Sequence, residues 1–237
     1  MRADALTRHA LVSGGSGGIG SAIVASLLAA GHRVTTLDCV APESGSQGPS
    51  AAAFYQCDLA DESQRAELLT AIPTVDILVN NAARFPRTPI LELRMVELRE
   101  VLEVNLVAAL DLMSRYGACM ARSGWGRIVN ITSITALGGF RDLGAYAASK
   151  AGLMGASVVA AAELGASGIT VNCVAPGAIP TAAEPEGTDD AAVLAKQSLG
   201  FRGSPEDVAA VVSFLVTEQA RFVTGQTIQV DGGWRMS

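Results

Sequence analysis

Residues 9–13, His-Ala-Leu-Val-Ser, form a short apolar run that opens directly into Gly14-Gly15-Ser16-Gly17-Gly18-Ile19-Gly20 and then into a helical pattern through Ala30. That order predicts a strand, a glycine turn and a helix. Glycines let backbone N–H groups close on a pyrophosphate, whose charge the helix N-terminus then favours. Two registers fit the turn, Gly15-x-Gly17-x-x-Gly20 and Gly14-x-x-x-Gly18-x-Gly20; the competing reading is a merely flexible turn. The next apolar run, residues 33–37, ends in Asp38, about twenty residues past the turn, where a dinucleotide fold needs a carboxylate for the adenosine ribose hydroxyls. A 2′-phosphate there would bring like charges together, and no Lys or Arg lies in the turn or just after Asp38 to offset them. NAD is therefore expected rather than NADP.

Further apolar runs alternate with helical patterns. A third strand at 54–57 ends at Asp58, a helix covers 61–72, and Val75-Asp-Ile-Leu-Val79 is a fourth strand closing in Asn80-Asn81-Ala82-Ala83. Residues 92–121 read as one helix with Asn105 among its apolar positions, and a buried mid-helix Asn needs a reason; a satisfied core amide is one. Ile128, Val129 and Ile131 mark the fifth strand, residues 168–175 the sixth, stopped by Pro176-Gly177, and residues 227–230 the last. This alternation predicts an α/β, doubly wound parallel sheet of the Rossmann type, about seven strands with helices on both faces. All of 1–237 is read as one dinucleotide-binding and catalytic domain. Residues 41–50 hold too many helix breakers for a good crossover helix. Residues 178–202 are read as a substrate lid; its acids Glu184, Glu186, Asp189 and Asp190 are expected to be solvated. Ser204-Pro205 starts the last helix, with an N-cap and Pro at N1.

Composition excludes several functions. A net charge of −6 disfavours nucleic acid and anionic membranes. With 49% hydrophobic and 17% charged residues the chain suits a compact fold. No apolar run reaches the length of a membrane span, and the N-terminal segment meets its glycines too early for a secretory signal, so a cytoplasmic location is expected. The four cysteines are widely spaced and there are only two histidines, which predicts neither disulfides nor a metal site.

The remaining chemistry lies between Ser133 and Lys150. Tyr146 and Lys150 are four residues apart, on one face if a helix starts near Tyr146. A phenol of pKa about 10 is about one part in a thousand ionised at pH 7. A cation near 4 Å supplies roughly the 4 kcal/mol needed to lower that pKa by about three units, at an effective dielectric of about 20. Lys150 would thus make Tyr146 a general base. Ser133 ends the fifth strand, where its hydroxyl can face the tyrosine. The plainer reading of Tyr-x-x-x-Lys is an ordinary helix face.

The ordered set of motifs resembles the short-chain dehydrogenase/reductase family over essentially the full length. Residues 13–20 are similar to its Thr-Gly-x-x-x-Gly-x-Gly, Asn80-Asn81-Ala82-Ala83 to its Asn-Asn-Ala-Gly, Pro176-Gly177 with Thr181 to its Pro-Gly-x-x-x-Thr, and residues 224–226 and 230–233 to its C-terminal signature. Ser13 stands for Thr and Ala83 for Gly. The resemblance implies that Gly14, Gly18, Ile19, Gly20, Asp38, Asp58, Leu59, Asn81, Tyr146, Lys150, Pro176, Gly177, Ile179 and Thr181 bind the dinucleotide. It assigns Ser133, Tyr146, Lys150 and Asn105 to catalysis. Tyr146 would exchange a proton with a secondary alcohol or ketone while hydride passes to or from NAD, Ser133 would orient the substrate oxygen, and Asn105 would help place a water. Two alternatives stand beside this. One is a 3-oxoacyl carrier-protein reductase, which Asp38 and the acidic chain disfavour; the other is a non-catalytic dinucleotide sensor. A homotetramer or homodimer is expected, because residues 101–113 and 147–164 are apolar beyond the stripe one sheet covers. Arg84, Arg87 and Arg141 lie in loops beyond the fourth and fifth strands; they are solvated, pair with lid acids such as Glu184 and Asp189, or read a substrate carboxylate, Arg141 first among them.

Overall fold

Alternate residues of each apolar run go to opposite faces of one sheet, so each strand feeds two cores. The computed structural model describes residues 7–41, 52–182, 184 and 188–235. Its strands are β1 (His9–Ser13), β2 (Arg33–Asp38), β3 (Ala53–Gln56), β4 (Ile77–Asn80), β5 (Gly126–Ile131), β6 (Ile169–Pro176) and β7 (Thr227–Val230). They pair in parallel in the order β3-β2-β1-β4-β5-β6-β7. From β1, Ala10 and Val12 enter one core with α1 (Gly18–Ala29) and, near the C-terminus, α7 (Pro205–Leu215), while Leu11 enters the other. That second core holds α2 (Glu62–Ala71), α4 (Ala108–Ser123) and α5 (Gly144–Leu164). The doubly wound parallel sheet is as the alternation predicts. The loop expected for the second crossover lies, from residue 42 on, outside the described residues.

Strand order reverses between β1 and β4, and at such a switch point the loops leaving the strands part to leave a crevice. The glycine turn after β1 and Asn81 after β4 both lie there. Ser13 joins them: its Oγ accepts from the N–H groups of Asn81 and Ala82 at 3.0 and 3.1 Å. Serine at this position thus supplies the hydroxyl that binds the two loops.

The helix expected over 92–121 forms as one helical run, 95–123, but with a feature the sequence does not show. Helix α3 (Met95–Leu102) passes through a π turn, Glu103–Val107, before α4. A π turn carries one extra residue, which re-aims the side chains on it, and here Asn105 becomes buried at 1% exposure. Buried Arg65 braces the turn, at 3.0 Å from both Glu103 and Asp111, and also donates to the Leu59 carbonyl. The α7 start is as expected: Pro205 at N1, and a capping box in which the Ser204 N–H donates to Asp207 at 2.7 Å. Among the described residues no helix is long and apolar enough to cross a membrane. Val158 and Val159 on α5 and Val107 and Leu110 beside α4 remain open to solvent.

Candidate active site

The structure selects between the two glycine registers. Gly14 and Gly18 take left-handed φ values of 63° and 52°, which L side chains rarely adopt. A Cβ on Gly20 would lie 1.9 Å from the Gly14 carbonyl oxygen, whereas one on Gly17 would meet nothing within 4 Å. A Cβ on Gly15 would also meet the Thr36 side chain at 2.8 Å, but the unconstrained Gly17 removes the first register, and Gly14, Gly18 and Gly20 make the second. The turn ends at the N-terminus of α1, where Gly17 offers no side-chain cap and the first-turn N–H groups keep their need for an acceptor. Ser16 Oγ, buried in the turn, has no hydrogen-bond partner. Free donors, a positive dipole end and an orphaned hydroxyl fit a pyrophosphate. Ile19 packs against the core under the turn.

The other predicted cofactor residues surround this turn. Asp38 ends β2 with its carboxylate fixed by the Cys39 N–H at 2.9 Å. Asp58 is exposed after β3, accepting from the Ala60 N–H at 2.9 Å, and Leu59 behind it is buried. The Asn81 amide donates to the carbonyls of Ser13 and Gly14 at 3.0 and 2.9 Å, so it shapes the glycine turn. Beyond β6, Gly177 passes so close to the chain after β7 that a Cβ would stand 2.9 Å from the Asp231 Cα. Pro176 ends β6, and the Ile179 N–H donates back to the Gly177 carbonyl at 3.0 Å. This bend brings the Thr181 methyl within 3.2 Å of a Cβ built on Gly18. Gly18 and Thr181, 163 positions apart in sequence, thereby meet at one crevice.

Ser133, Tyr146 and Lys150 also come together. Ser133 opens a short 3₁₀ turn after β5 and its hydroxyl is in hydrogen-bonding contact with the Tyr146 phenol. The Lys150 ammonium lies 5.7 Å from the Tyr146 ring centre. Lys150 is buried, at 2% exposure, and donates to the Ile131 carbonyl at 2.7 Å. The electrostatics correct the expectation. Burial pushes the Tyr146 phenol above its ordinary value, and the Ser133 contact opposes this only in part. Burial also lowers Lys150 to about 8, with Cys173 acting weakly the other way. Desolvation, rather than the Lys150 charge, sets the direction of the Tyr146 shift. The pair is a neutral phenol beside a cation near its titration point.

The Asn105 side chain is held within the protein at both ends of its amide. Its Oδ1 accepts from the Arg84 N–H at 2.8 Å, and its Nδ2 donates to the Arg84 carbonyl and to Ser149 Oγ at 2.8 and 3.0 Å. With these bonds the amide has no donor left for a water. It locks the loop after β4 onto α5 in the manner of a strand partner. A small cavity beneath the site is lined by Ser13, Leu59, Asn80, Asn105 and Lys150.

Of the lid acids, Glu186 lies outside the described residues, exposed Asp189 caps the helix that follows it, and Glu184 and Asp190 are paired. Arg202 pairs with Glu184 at 2.7 Å and Asp190 at 2.5 Å, and it donates to the Ala178 carbonyl at 2.9 Å. One guanidinium thus clasps both ends of the segment, including the short helix α6 (Asp190–Leu194). Arg84 pairs instead with Glu100, at 3.3 Å, and Arg87 and Arg141 are exposed. The sequence reading missed Phe85, Phe140, Trp234 and Arg235. Phe85 meets the Tyr146 ring edge-on at 6.0 Å. Its signal in the sequence was an aromatic in a loop beyond a strand's carboxyl end.

Comparison with known proteins agrees with this geometry. Residues 14–235 match the family profile described as enoyl-(acyl carrier protein) reductase. The chain is 36% identical to the 3-oxoacyl-[acyl-carrier-protein] reductase FabG of Rickettsia felis, over 98% of this chain and 99% of that protein. Among solved structures, a 4-hydroxyisoleucine dehydrogenase complexed with NADH superposes with a TM-score of 0.88 at 32% identity, over 96% of this chain and 98% of that one. A blue fluorescent protein from a metagenomic library, in complex with NADPH, superposes with a TM-score of 0.87 at 34% identity, over 97% and 98%.

Proposed function

The chain belongs to the short-chain dehydrogenase/reductase family, and on that footing we propose that it reduces the ketone of a 3-oxoacyl thioester, using NADH. It is an oxidoreductase acting on CH–OH and ketone groups. The observation that carries the reading is the meeting of Ser133, Tyr146 and Lys150 at one place, with the Lys150 ammonium 5.7 Å from the Tyr146 ring centre. A neutral phenol there can give a proton to a carbonyl becoming an alkoxide, and the reductive direction follows the relatives named reductases. Ser133, in contact with that phenol, provides a second hydroxyl for the same oxygen. Lys150, at about 8, is mostly cationic at neutral pH and favours negative charge developing nearby.

The relatives named as 3-oxoacyl reductases support the acyl substrate and bring forward the alternative that the sequence alone disfavoured. Net charge still argues against docking an acidic carrier protein, so a soluble small-molecule thioester is the better fit. Gly14, Gly18, Gly20 and Ser16 would hold the pyrophosphate, Asp38 the adenosine ribose, Asp58, Leu59 and Asn81 the adenine side, and Gly177, Ile179 and Thr181 the nicotinamide side. When bound, the dinucleotide supplies the hydride. Solved neighbours carry NADH in one case and NADPH in the other, so the choice of NADH rests on Asp38. Residues 178–202 act as the lid, clasped by Arg202. The exposed apolar residues of α4 and α5 favour a homo-oligomer, which light scattering at micromolar concentration tests. The functional test is turnover of a 3-oxoacyl thioester and of a panel of simple ketones and secondary alcohols, each with NAD(H) and NADP(H). Turnover of simple alcohols without turnover of the thioester overturns the acyl reading.

A further inference from the structure

The segment Asp231–Arg235 is bonded to two separate parts of the site, and the chemistry above makes no use of it. Buried Asp231 accepts from the N–H groups of Gly233 and Arg235 at 2.9 and 2.8 Å, which closes a tight turn just after β7. Gly232 and Gly233 are both left-handed, at 65° and 78°, and a Cβ on Gly233 would stand 2.9 Å from the Ser198 Cβ. Two glycines therefore let the turn press against the end of the lid. There the N–H groups of Ser198 and Leu199 both donate to the Gly232 carbonyl, at 2.8 and 2.9 Å.

The turn then delivers two side chains to the other side of the site. Trp234 packs on Phe140 with ring centres 5.7 Å apart, and the Lys196 ammonium sits 5.1 Å from the indole centre. Arg235 donates to the Leu137 carbonyl and lies against Gly138. Leu137, Gly138 and Phe140 belong to the loop that runs from Ser133 to Tyr146. The Trp234 side chain thus touches both that loop, at Phe140, and the lid, at Lys196, while the Arg235 side chain ties the loop to the turn after β7.

We propose that Trp234 and Arg235 are positioning residues that hold the Leu137–Phe140 loop in register with the lid and so set how tightly substrate is bound. This rests on the reading that Ser133 and Tyr146 receive the substrate oxygen. The loop is anchored at its two ends, by the Ser133 cap on the 3₁₀ turn and by the pairing of Leu143 with Thr88, so freeing its middle widens the substrate side while the proton donor and dinucleotide side stay in place.

The test compares Trp234→Ala and Arg235→Ala with the conservative Trp234→Phe and Arg235→Lys. For the substrate found to turn over, KM should rise about tenfold in the alanine variants with kcat within about threefold, a split expected when positioning rather than chemistry is lost. The conservative variants should recover most of the loss. NADH affinity, from fluorescence titration, should stay unchanged. Independently of any substrate, hydrogen–deuterium exchange should rise in peptides covering 134–143 and 190–199 and not in β1, β4 or β5. Unchanged exchange in both peptides, or a fall in kcat at constant KM, overturns the proposal. Failure of the wild type on the 3-oxoacyl thioester overturns only the substrate assignment, because the exchange experiment is read without it.

Discussion

The glycine turn after β1 and the loops beyond β5 and β6 face each other across one sheet edge, and they are held by different means. The turn is fixed by backbone: two left-handed glycines, a third with no room for a Cβ, and the Asn81 amide on two carbonyls. The opposite side is fixed by side chains that cross long stretches of sequence, Arg202 to Glu184 and Asp190, Trp234 to Phe140 and Arg235 to Leu137. Backbone cradles suit a ligand whose pyrophosphate is the same in every reaction, whereas side-chain clasps can be changed one residue at a time. Tyr146 sits on the border, carried by α5 but tuned by burial between the two.

The most severe test of that border is Tyr146→Phe. It removes one oxygen and little packing, so kcat should fall about 10³-fold, within the range for losing a general acid, while NADH affinity shifts less than about twofold. Stopped-flow turnover with a fluorescence titration of NADH checks both. A variant retaining a tenth of the wild-type rate would take proton donation away from Tyr146. On the cradle side, Gly20→Ala should cost about 3 kcal/mol of stability or more, since a Cβ there overlaps the Gly14 carbonyl. Gly17→Ser, with open space around it and a good N-cap side chain, should stay within about 0.5 kcal/mol. Urea denaturation of the pair without cofactor measures the contrast; equal losses would mean that the turn is not held by close approach.

This division also explains what could be read from the sequence. Strand, turn and helix follow from local patterns, so β1 to α1 and the carboxylate at Asp38 were legible, and so was the meeting of Ser133 with Tyr146 and Lys150. The π turn at Asn105 was not, because one extra residue in a turn leaves the apolar periodicity of 92–121 almost unchanged. Spacing placed Lys150 near Tyr146 but gave no account of desolvation, so the sign of the Tyr146 shift came out reversed. Arg202 is eighteen residues from Glu184, and Arg235 is ninety-eight from Leu137. No periodicity records such contacts.

The buried Lys150 offers a test of the border that needs no substrate. Its folded value of about 8 lies below the ordinary 10.5, so between those values the unfolded chain holds a proton that the folded chain has released. Stability then rises with pH across that window, by about 1.4 kcal/mol per unit, and the cost of the buried cation is fully present below pH 8. Cys57, pushed up to about 11 by burial, acts in the opposite sense above its ordinary 9. The difference between wild type and Lys150→Met isolates the lysine. From pH 8 to 9.5 wild type should gain on the variant by about 2 kcal/mol. A difference independent of pH would show that Lys150 keeps its ordinary value.

Asp38 should give the smallest effect, because on the proposed reading it meets the dinucleotide by charge at the rim of the cradle. The Cys39 N–H holds its carboxylate in place, and no Lys or Arg occurs between Arg33 and Arg65 to neutralise a phosphate there. At a few ångströms in a wet site, repulsion of a 2′-phosphate by one carboxylate is worth about 1 to 2 kcal/mol, roughly a tenfold preference. Replacing Asp38 with Ser removes the repulsion and also the acceptor for the ribose hydroxyls. NADH should therefore weaken and NADPH strengthen, narrowing the ratio of their kcat/KM values by about tenfold without inverting it, since no cation is introduced. Wild type that uses NADPH as well as NADH would place the discrimination elsewhere. If the ratio did not move in Asp38→Ser, the cradle would be choosing its cofactor by backbone alone, and the contrast with the side-chain clasps across the cleft would be sharper than drawn here.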